Sequence, residues 1–502
     1  MNSIKLRIIL GIFLSILSAL LILLSFSPYN LSFLILISFI PMVISQYLLF
    51  PEKISSLAKA ITIGGFLFLY LNGLFSGFGP KAWHMKYLPI IIGFLTFFID
   101  KNLRKSDEKT NFKYFVIDGV FSWVGVELIR SFIPAFGTWA FLSYTFYNIP
   151  WFIQPIKIFG IFGLSVLIVL INFSLGFFIL KWLNNKWRLN EKLMEVSFSF
   201  VKKWVSISII ILIFWGFLSL ILCKKPKGES IKIGITQTNP FDLISLKNLW
   251  SGNFTEEEFE NFKSESFKRL IEDTKKAKEF GAKIVVWPEG ALSYDPKIEN
   301  SETFKNLVKE LNIYLVIPYG VIEKNGYRNE VTILTPDGEF LGVFGKDHPV
   351  VFAQETSITR GKYPVYETEL GGLGTIICYD LDFTDTARKV AKNGAQILLI
   401  PSADWPQIAN KHYTHAIFRA VENGVSIVKS EWAYDSAFID PFGRVLKKSV
   451  SFDGLRKVIV QDVPLGGLKP IQVYLGDYIG WFSFIGMIVI MILKSRKDKK
   501  II

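Results

Sequence analysis

The chain has 502 residues, 51% hydrophobic and 15% aromatic, with a formal net charge of +13 and a mean hydropathy of +0.37. So apolar a composition excludes a single soluble globular domain, which runs at about 45–50% apolar even with glycine counted. The basic residues lie in short segments beside the apolar runs rather than in one patch, so no nucleic-acid partner is expected. Two cysteines, Cys223 and Cys378, are too few for a disulfide framework and leave the redox compartment unread.

A spanning helix needs about 20 mostly apolar residues. Runs of that kind begin near Ile8, Leu31, Ile61, Tyr87, Tyr114, Ile158, Val205 and Tyr478. About eight spans are therefore expected, the fourth of them short. The organisation read from this is a transmembrane bundle of about seven helices over 1–225, a water-exposed domain over 229–468, and a last span over 476–494. The first run opens with Lys5 and Arg7 as a signal peptide does, but six further runs follow it, so a retained helix is expected.

Lysines and arginines cluster at the N-terminus (Lys5, Arg7), after the second run (Lys53, Lys59) and after the fourth (Lys101, Arg104, Lys105, Lys109, Lys113). They cluster again after the sixth (Lys181 to Lys203) and in the tail (Lys494, Arg496, Lys497, Lys499, Lys500). With about eight spans all of these fall on one side, which the positive-inside rule makes cytoplasmic. The water-exposed domain is then expected outside the inner face. Asn72, Asp118, Glu127, Arg130 and Asn172 lie in or beside apolar runs, and Glu127 and Arg130 stand at pairing distance on one helix face. Interfacial anchoring accounts for the aromatic segment 134–151.

The water-exposed domain alternates short apolar strands with polar helices. Strands are expected over 231–238, 284–287, 314–318, 331–335, 339–344, 374–378, 397–401, 425–429 and 437–440. Helices are expected over 256–280, 382–393 and up to 423, with a hairpin turn at Pro336, Asp337 and Gly338. This alternation predicts a layered α/β domain.

Three expected strand ends carry reactive groups: Glu289 after 284–287, Lys346 after 339–344, and Cys378 at the end of 374–378. Ligands and catalytic groups gather at strand ends in α/β sheets. A thiol needs a base and, preferably, a nearby cation to act as a nucleophile. Glu289 can be the base, and Lys346 can hold an oxyanion and favour the thiolate. Taken singly, each has a plainer role: a buried small hydrophobe, a turn cap and a surface cation.

The run Trp287, Pro288, Glu289, then Gly345, Lys346, Asp347, His348, then Ile377, Cys378, Tyr379, Asp380 resembles the Glu–Lys–Cys signature of the nitrilase (carbon–nitrogen hydrolase) superfamily. The rest resembles its membrane-embedded branch, the apolipoprotein N-acyltransferase family. It does so at Phe26 to Asn30, Phe136 to Trp139, Arg419 to Gly424, Asp440 to Gly443, and Val463 with Pro464. The resemblance implies a multi-pass α-helical bundle plus an extracytoplasmic αββα sandwich. It implies acyl transfer from a phospholipid to the amino terminus of diacylglyceryl-cysteine on lipoproteins, through a thioester on Cys378, at the inner (plasma) membrane. Glu289 would be the general base and Lys346 the oxyanion group; no metal or organic cofactor is implied.

The chain departs from the family pattern in two places. The second family glutamate falls on Gln354 in an ungapped match or on Glu355 if one residue is inserted, and Tyr379 is followed by Asp380 where the family has glutamate. His348, Gln354, Glu355, Tyr379 and Asp380 are thus expected to support the site or the substrate. A Cys–His protease would need a histidine beside Cys378, with His348 the candidate. His412 and His415, at i and i+3, lack a partner at ligand spacing, so no metal is expected. An anchored amidase and a silent lipid-binding relative are the alternatives.

Overall fold

The computed structural model describes residues 3–76, 83–224, 229–450 and 455–496. The tail lysines Lys497, Lys499 and Lys500, and position 225, where the expected bundle was bounded, lie outside them. The chain divides into two compact units: Met1–Phe132, Ala140–Leu222 and Asp477–Ile502 form the first, and Ile133–Trp139 with Cys223–Gly476 the second.

In the first unit six helical segments among the described residues are long and apolar enough to cross a membrane: Ile4–Ser25, Ser32–Leu49, Glu52–Phe75, Ile156–Trp187, Phe198–Leu222 and Tyr478–Ser495. The protein is a multi-pass membrane protein. The fourth and fifth expected runs form helices of 17 residues, Trp83–Ile99 and Phe115–Ser131. That length lies at the lower bound for a span.

The second segment is not one regular helix. It passes from a 3₁₀ turn through a short α-helix to a π turn. Backbone groups freed this way inside a bilayer must find internal partners. Asn172 supplies two, accepting from Phe39 N at 2.8 Å and donating to Ile35 O at 2.6 Å. Ser18 Oγ accepts from Met42 N at 2.8 Å.

Some other buried polar groups in this unit are also paired. Glu127 accepts from Trp123 and from Leu142 N, both at 3.2 Å, and Arg130 lies over the Phe141 ring. Lys494 reaches Asp107 and Asp118 at 2.5 Å each, tying the last helix to the bundle.

Among the described residues, the second unit is built on twelve strands in two six-stranded sheets. The first sheet contains β1 (Ser230–Gln237), β2 (Ile284–Val286), β3 (Tyr314–Glu323), β4 (Gly326–Leu334) and β5 (Phe340–Gly345). The second contains β6 (Val365–Thr368), β7 (Gly371–Thr375), β8 (Ile397–Ser402), β9 (Ser426–Glu431), β10 (Asp435–Ile439) and β11 (Val445–Val450), while β12 (Lys457–Pro464) returns to the first. The orders are β12-β1-β2-β3-β4-β5 and β11-β10-β9-β8-β7-β6, with β1, β2 and β3 parallel, and β7, β8 and β9 parallel.

The sheets face each other, and Ser430 Oγ donates across to Val286 O at 2.8 Å. Helices cover the outer faces. Leu270 and Ala277 of helix Glu256–Glu279, and Phe304, Leu307 and Val308 of helix Ser301–Leu311, share one core with Val285, Trp287, Leu315 and Ile317. Helices Thr384–Lys392 and His412–Asn423 pack on the second sheet. This is an αββα sandwich. The long helix starts where its sequence says it should: Thr255 and Glu258 exchange side-chain to backbone bonds in a capping box, and three glutamates fill the first turn.

Candidate active site

Glu289 stands three residues beyond β2, with its backbone N–H donating to Ser402 O and its carbonyl accepting from Trp432 Nε1 at 2.7 Å. Lys346 follows β5 directly, and its backbone N–H donates to Asn329 O at 2.8 Å. The two side chains meet: Lys346 Nζ lies 2.8 Å from Glu289 Oε1. Glu355 completes the group, receiving Lys346 Nζ on both oxygens at 2.9 and 3.1 Å. Asn329 Nδ2 donates to Glu289 Oε1 and to Glu355 Oε1 at 2.7 and 2.6 Å. A lysine 2% exposed is costly unless paired, and here two carboxylates surround it. Burial alone would lower its pKa, but Glu289, Glu355 and the Cys378 side chain outweigh that, and the ammonium is held well above its ordinary value. Glu355 is held below its usual range, because Lys346 and the bonds from Val350 N and Asn329 overcome its burial.

Of Gln354 and Glu355, the structure brings only Glu355 to Lys346 among the described contacts. Gln354 is exposed and closes a short 3₁₀ turn with φ +61°; Glu355 is the residue turned onto Lys346.

Cys378 differs from expectation in its local structure. The strand ends at Thr375, and Cys378 opens a 3₁₀ turn, Cys378–Asp382, with φ +44°. A non-glycine residue in that region carries about 1–3 kcal/mol of strain and persists only where its surroundings fix it. Asp380 does much of the fixing. Its Oδ2 accepts from Ile377 N at 2.9 Å, and its Oδ1 accepts from His348 N at 2.8 Å and Asp347 N at 3.1 Å. One carboxylate therefore staples the cysteine turn to the lysine loop. Burial raises Asp380 to about 7, against the opposing pull of His348 and those N–H groups.

Cys378 is buried and within electrostatic reach of Glu289, Lys346 and Asp404. Burial first, then Glu289, push its thiol well up, and Lys346 acts against them. Tyr379 donates to Pro134 O at 3.0 Å and packs edge-on to Phe352 and Phe383. Trp405 also meets Phe352 edge-on, so an aromatic flank lies beside the cysteine turn.

His348 is not the histidine that approaches the thiol. Its ring stacks on Phe383 at 3.7 Å and bonds to Asp385 at 3.1 Å. The histidine near the sulfur is His412, whose ring nitrogen, with an Asp404 oxygen and Cys378 Sγ, forms a set within 4.8 Å. His415 is buried too, bonded to Asp382 at 2.5 Å and packed on Trp139. That cluster has the donor types of a metal site, but Lys429 Nζ already holds Asp404 Oδ2 at 2.5 Å.

Asn329, Asp404 and Lys429 were missed by the sequence reading. Lys429 carried a signal: it directly follows Ile427 and Val428 in a strand, β9, and a buried lysine is almost never without a partner.

Residues 259–472 match the carbon-nitrogen hydrolase family, and residues 18–174 match the apolipoprotein N-acyltransferase N-terminal domain. An apolipoprotein N-acyltransferase of Geobacter metallireducens is 25% identical, over 96% of this chain and 95% of that one. An omega-amidase of Xenopus tropicalis is 28% identical over 42% of this chain and 87% of its own length. Among solved structures, a nitrilase-superfamily member of Saccharomyces cerevisiae aligns with 20% identity and a TM-score of 0.39, over 50% of this chain and 94% of that one.

A membrane helix bundle and a carbon–nitrogen hydrolase sandwich in one chain define a membrane acyltransferase of the nitrilase superfamily. A second relative, of Rickettsia bellii, is also an apolipoprotein N-acyltransferase, 27% identical over 72% of this chain and 72% of its own length. The chain belongs to the apolipoprotein N-acyltransferase family.

Proposed function

We propose that this protein moves an acyl chain from a membrane phospholipid to the α-amino group of a diacylglyceryl-cysteine at the N-terminus of a lipoprotein, through a thioester on Cys378. The observation that carries this reading is the Glu289–Lys346 contact at 2.8 Å, in a cluster whose electrostatics extend to Cys378.

The chemistry balances in two halves. Glu289 takes the thiol proton as Sγ attacks the ester carbonyl, and Lys346, with a backbone N–H, holds the oxyanion. Collapse expels the lysophospholipid alkoxide, which leaves with the proton from Glu289. The lipoprotein amine then attacks the thioester and gives a proton to Glu289. The second collapse releases the amide and returns the proton to the departing sulfur. Lys346 meets the oxyanion by loosening one of its two Glu355 contacts. Glu355 and Asn329 hold the charged groups in register, and Asp380 holds the turn that presents the sulfur. The aromatic flank of Phe352, Tyr379 and Trp405 suits an acyl chain.

The domain arrangement we propose has the helices as the lipid-facing part and the sandwich on the extracytoplasmic side of the inner membrane. Counting the two 17-residue helices as spans puts the basic clusters at the N-terminus, after the second, fourth and sixth spans and in the tail on the opposite, cytoplasmic side.

Purified protein given phospholipid and a diacylglyceryl lipopeptide should acylate the peptide amine. Cys378→Ala should abolish this while remaining folded and inserted. Turnover of small amides without lipid would instead favour an anchored amidase, and unchanged lipoprotein acylation in cells lacking the protein would favour a silent relative.

A further inference from the structure

Cys378 has a second carboxylate beside it that the proposed reaction does not use. Its thiol donates to Asp404 Oδ1 at 3.8 Å, and Ser402 Oγ donates to the same oxygen at 2.9 Å. Asp404 lies two residues beyond β8, is 1% exposed, and is anchored by its N–H to Glu431 Oε1 at 3.0 Å.

An isolated carboxylate at that depth would take up a proton. This one is flanked by basic side chains: Lys429 Nζ is 2.5 Å from Oδ2, and His412 Nδ1 is 2.9 and 3.0 Å from the two oxygens. Burial pushes Asp404 up, but His412 and Lys429 outweigh it and hold the group well below the usual carboxylate range. Both basic residues are themselves buried, Lys429 on β9 and His412 at the start of its helix. Asp404 beyond β8, Lys429 on β9 and His412 at the start of its helix thus converge behind the sulfur.

We propose that Asp404 is the positioning residue of the Cys378 thiol: it accepts the S–H in the resting protein, fixes the direction of the sulfur, and keeps the thiol neutral until Glu289 takes its proton. Lys429 and His412 serve as the counter-charges that keep Asp404 an acceptor. The groups that face the sulfur are Glu289 beyond β2, Lys346 beyond β5, and Ser402 and Asp404 at the end of β8; Lys429 and His412 act through Asp404. The inference rests on the reading above only in taking Cys378 as the nucleophile.

The test reads the thiol rather than the reaction. In a Cys223→Ser background, Cys378 is alkylated with iodoacetamide across a pH series and scored by intact mass. Asp404→Asn should move the midpoint to lower pH by about one unit, since an anion facing the thiolate is removed, and Asp404→Glu should restore it. Asp404→Asn with Lys429→Met removes both partners, so no lone buried ammonium remains, and its midpoint should move the same way. Unmoved midpoints in the folded variants would overturn the assignment.

Should neither variant fold, the unaltered site answers by infrared difference spectroscopy between Cys223→Ser protein and its Cys378→Ala derivative. An S–H stretch lowered by a carboxylate acceptor supports the assignment, and a free-thiol frequency contradicts it. Neither readout involves acyl transfer. A shifted midpoint in a protein that acylates nothing would sink the proposed function and leave Asp404 in place.

Discussion

Asn329 Nδ2 donates to Glu289 Oε1 at 2.7 Å. The Lys346 ammonium takes the same oxygen, so both donors load one side of the carboxylate, and Oε2 is the side through which we expect the thiol proton to arrive. Asn329 also reaches Glu355, which makes it the neutral bridge between two carboxylates that would otherwise repel across Lys346.

Asn329→Ala should therefore lower kcat about ten- to hundredfold with KM little changed, because the base loses its orientation rather than its charge. Steady-state acylation of a diacylglyceryl lipopeptide measures the split. A loss confined to KM would point to a substrate-binding role instead.

Lys346→Met should abolish activity and also destabilise the second unit. It leaves Glu289 and Glu355 facing each other without the ammonium, and removing one partner of a buried charge cluster costs about 3–5 kcal/mol. Denaturant unfolding in detergent, followed by the domain's tryptophans, reads the loss. Adding Glu355→Gln should recover part of the stability and none of the activity.

His348 gives a pH dependence of stability. Burial opposes the charged imidazole, but the bond to Asp385 and the charges of Asp380, Asp385 and Asp347 outweigh it and raise the pKa above its ordinary 6.5. A group raised on folding contributes in full below 6.5 and loses that contribution as pH rises through the folded value. The Tm advantage of the native protein over His348→Gln should thus be largest near about pH 6 and shrink toward about pH 9. An advantage that grows with pH would reverse the sign of the argument.

Gly137 tests the contribution of the segment Ile133–Trp139 to the second unit. Thr138 N and Oγ1 both donate to Asp382 O, at 2.8 and 2.9 Å. Gly137 has φ +48°, and a Cβ there would lie 2.5 Å from the same carbonyl oxygen. Gly137→Ala should cost about 1–3 kcal/mol and lower the folded yield, whereas Thr138→Ser should be near neutral. Thermal unfolding of the two variants makes the comparison.

The parts legible in the sequence were those where a local pattern and a tertiary requirement coincide. The apolar runs showed because a bilayer demands length, and β2 and β8 because buried parallel strands read as nearly unbroken apolar stretches. Glu289 and Lys346 could be found because reactive side chains at strand ends stand out from the apolar run before them. Strands β6, β11 and β12 and helix Ser301–Leu311 were not expected; β11, for instance, contains two exposed lysines and is held by pairing with β10 rather than by its own pattern. The turn at Cys378 was read as strand because Ile376 and Ile377 continue the apolar run, while the bonds that end the strand come from the Asp380 carboxylate. Asp404 escaped for a similar reason: what marks it is convergence with Cys378, His412 and Lys429 across strands and a helix, which spacing along the chain does not record.

The central claim is that the sulfur of Cys378 carries the acyl chain, and intact-protein mass spectrometry after incubation with phospholipid tests it most directly. The account predicts one acyl chain added to the native protein, removed on addition of lipopeptide amine, and absent from Cys378→Ala and Glu289→Ala. An adduct that survives in Cys378→Ala, or a native protein that acylates lipopeptide while never bearing the acyl mass, would contradict it.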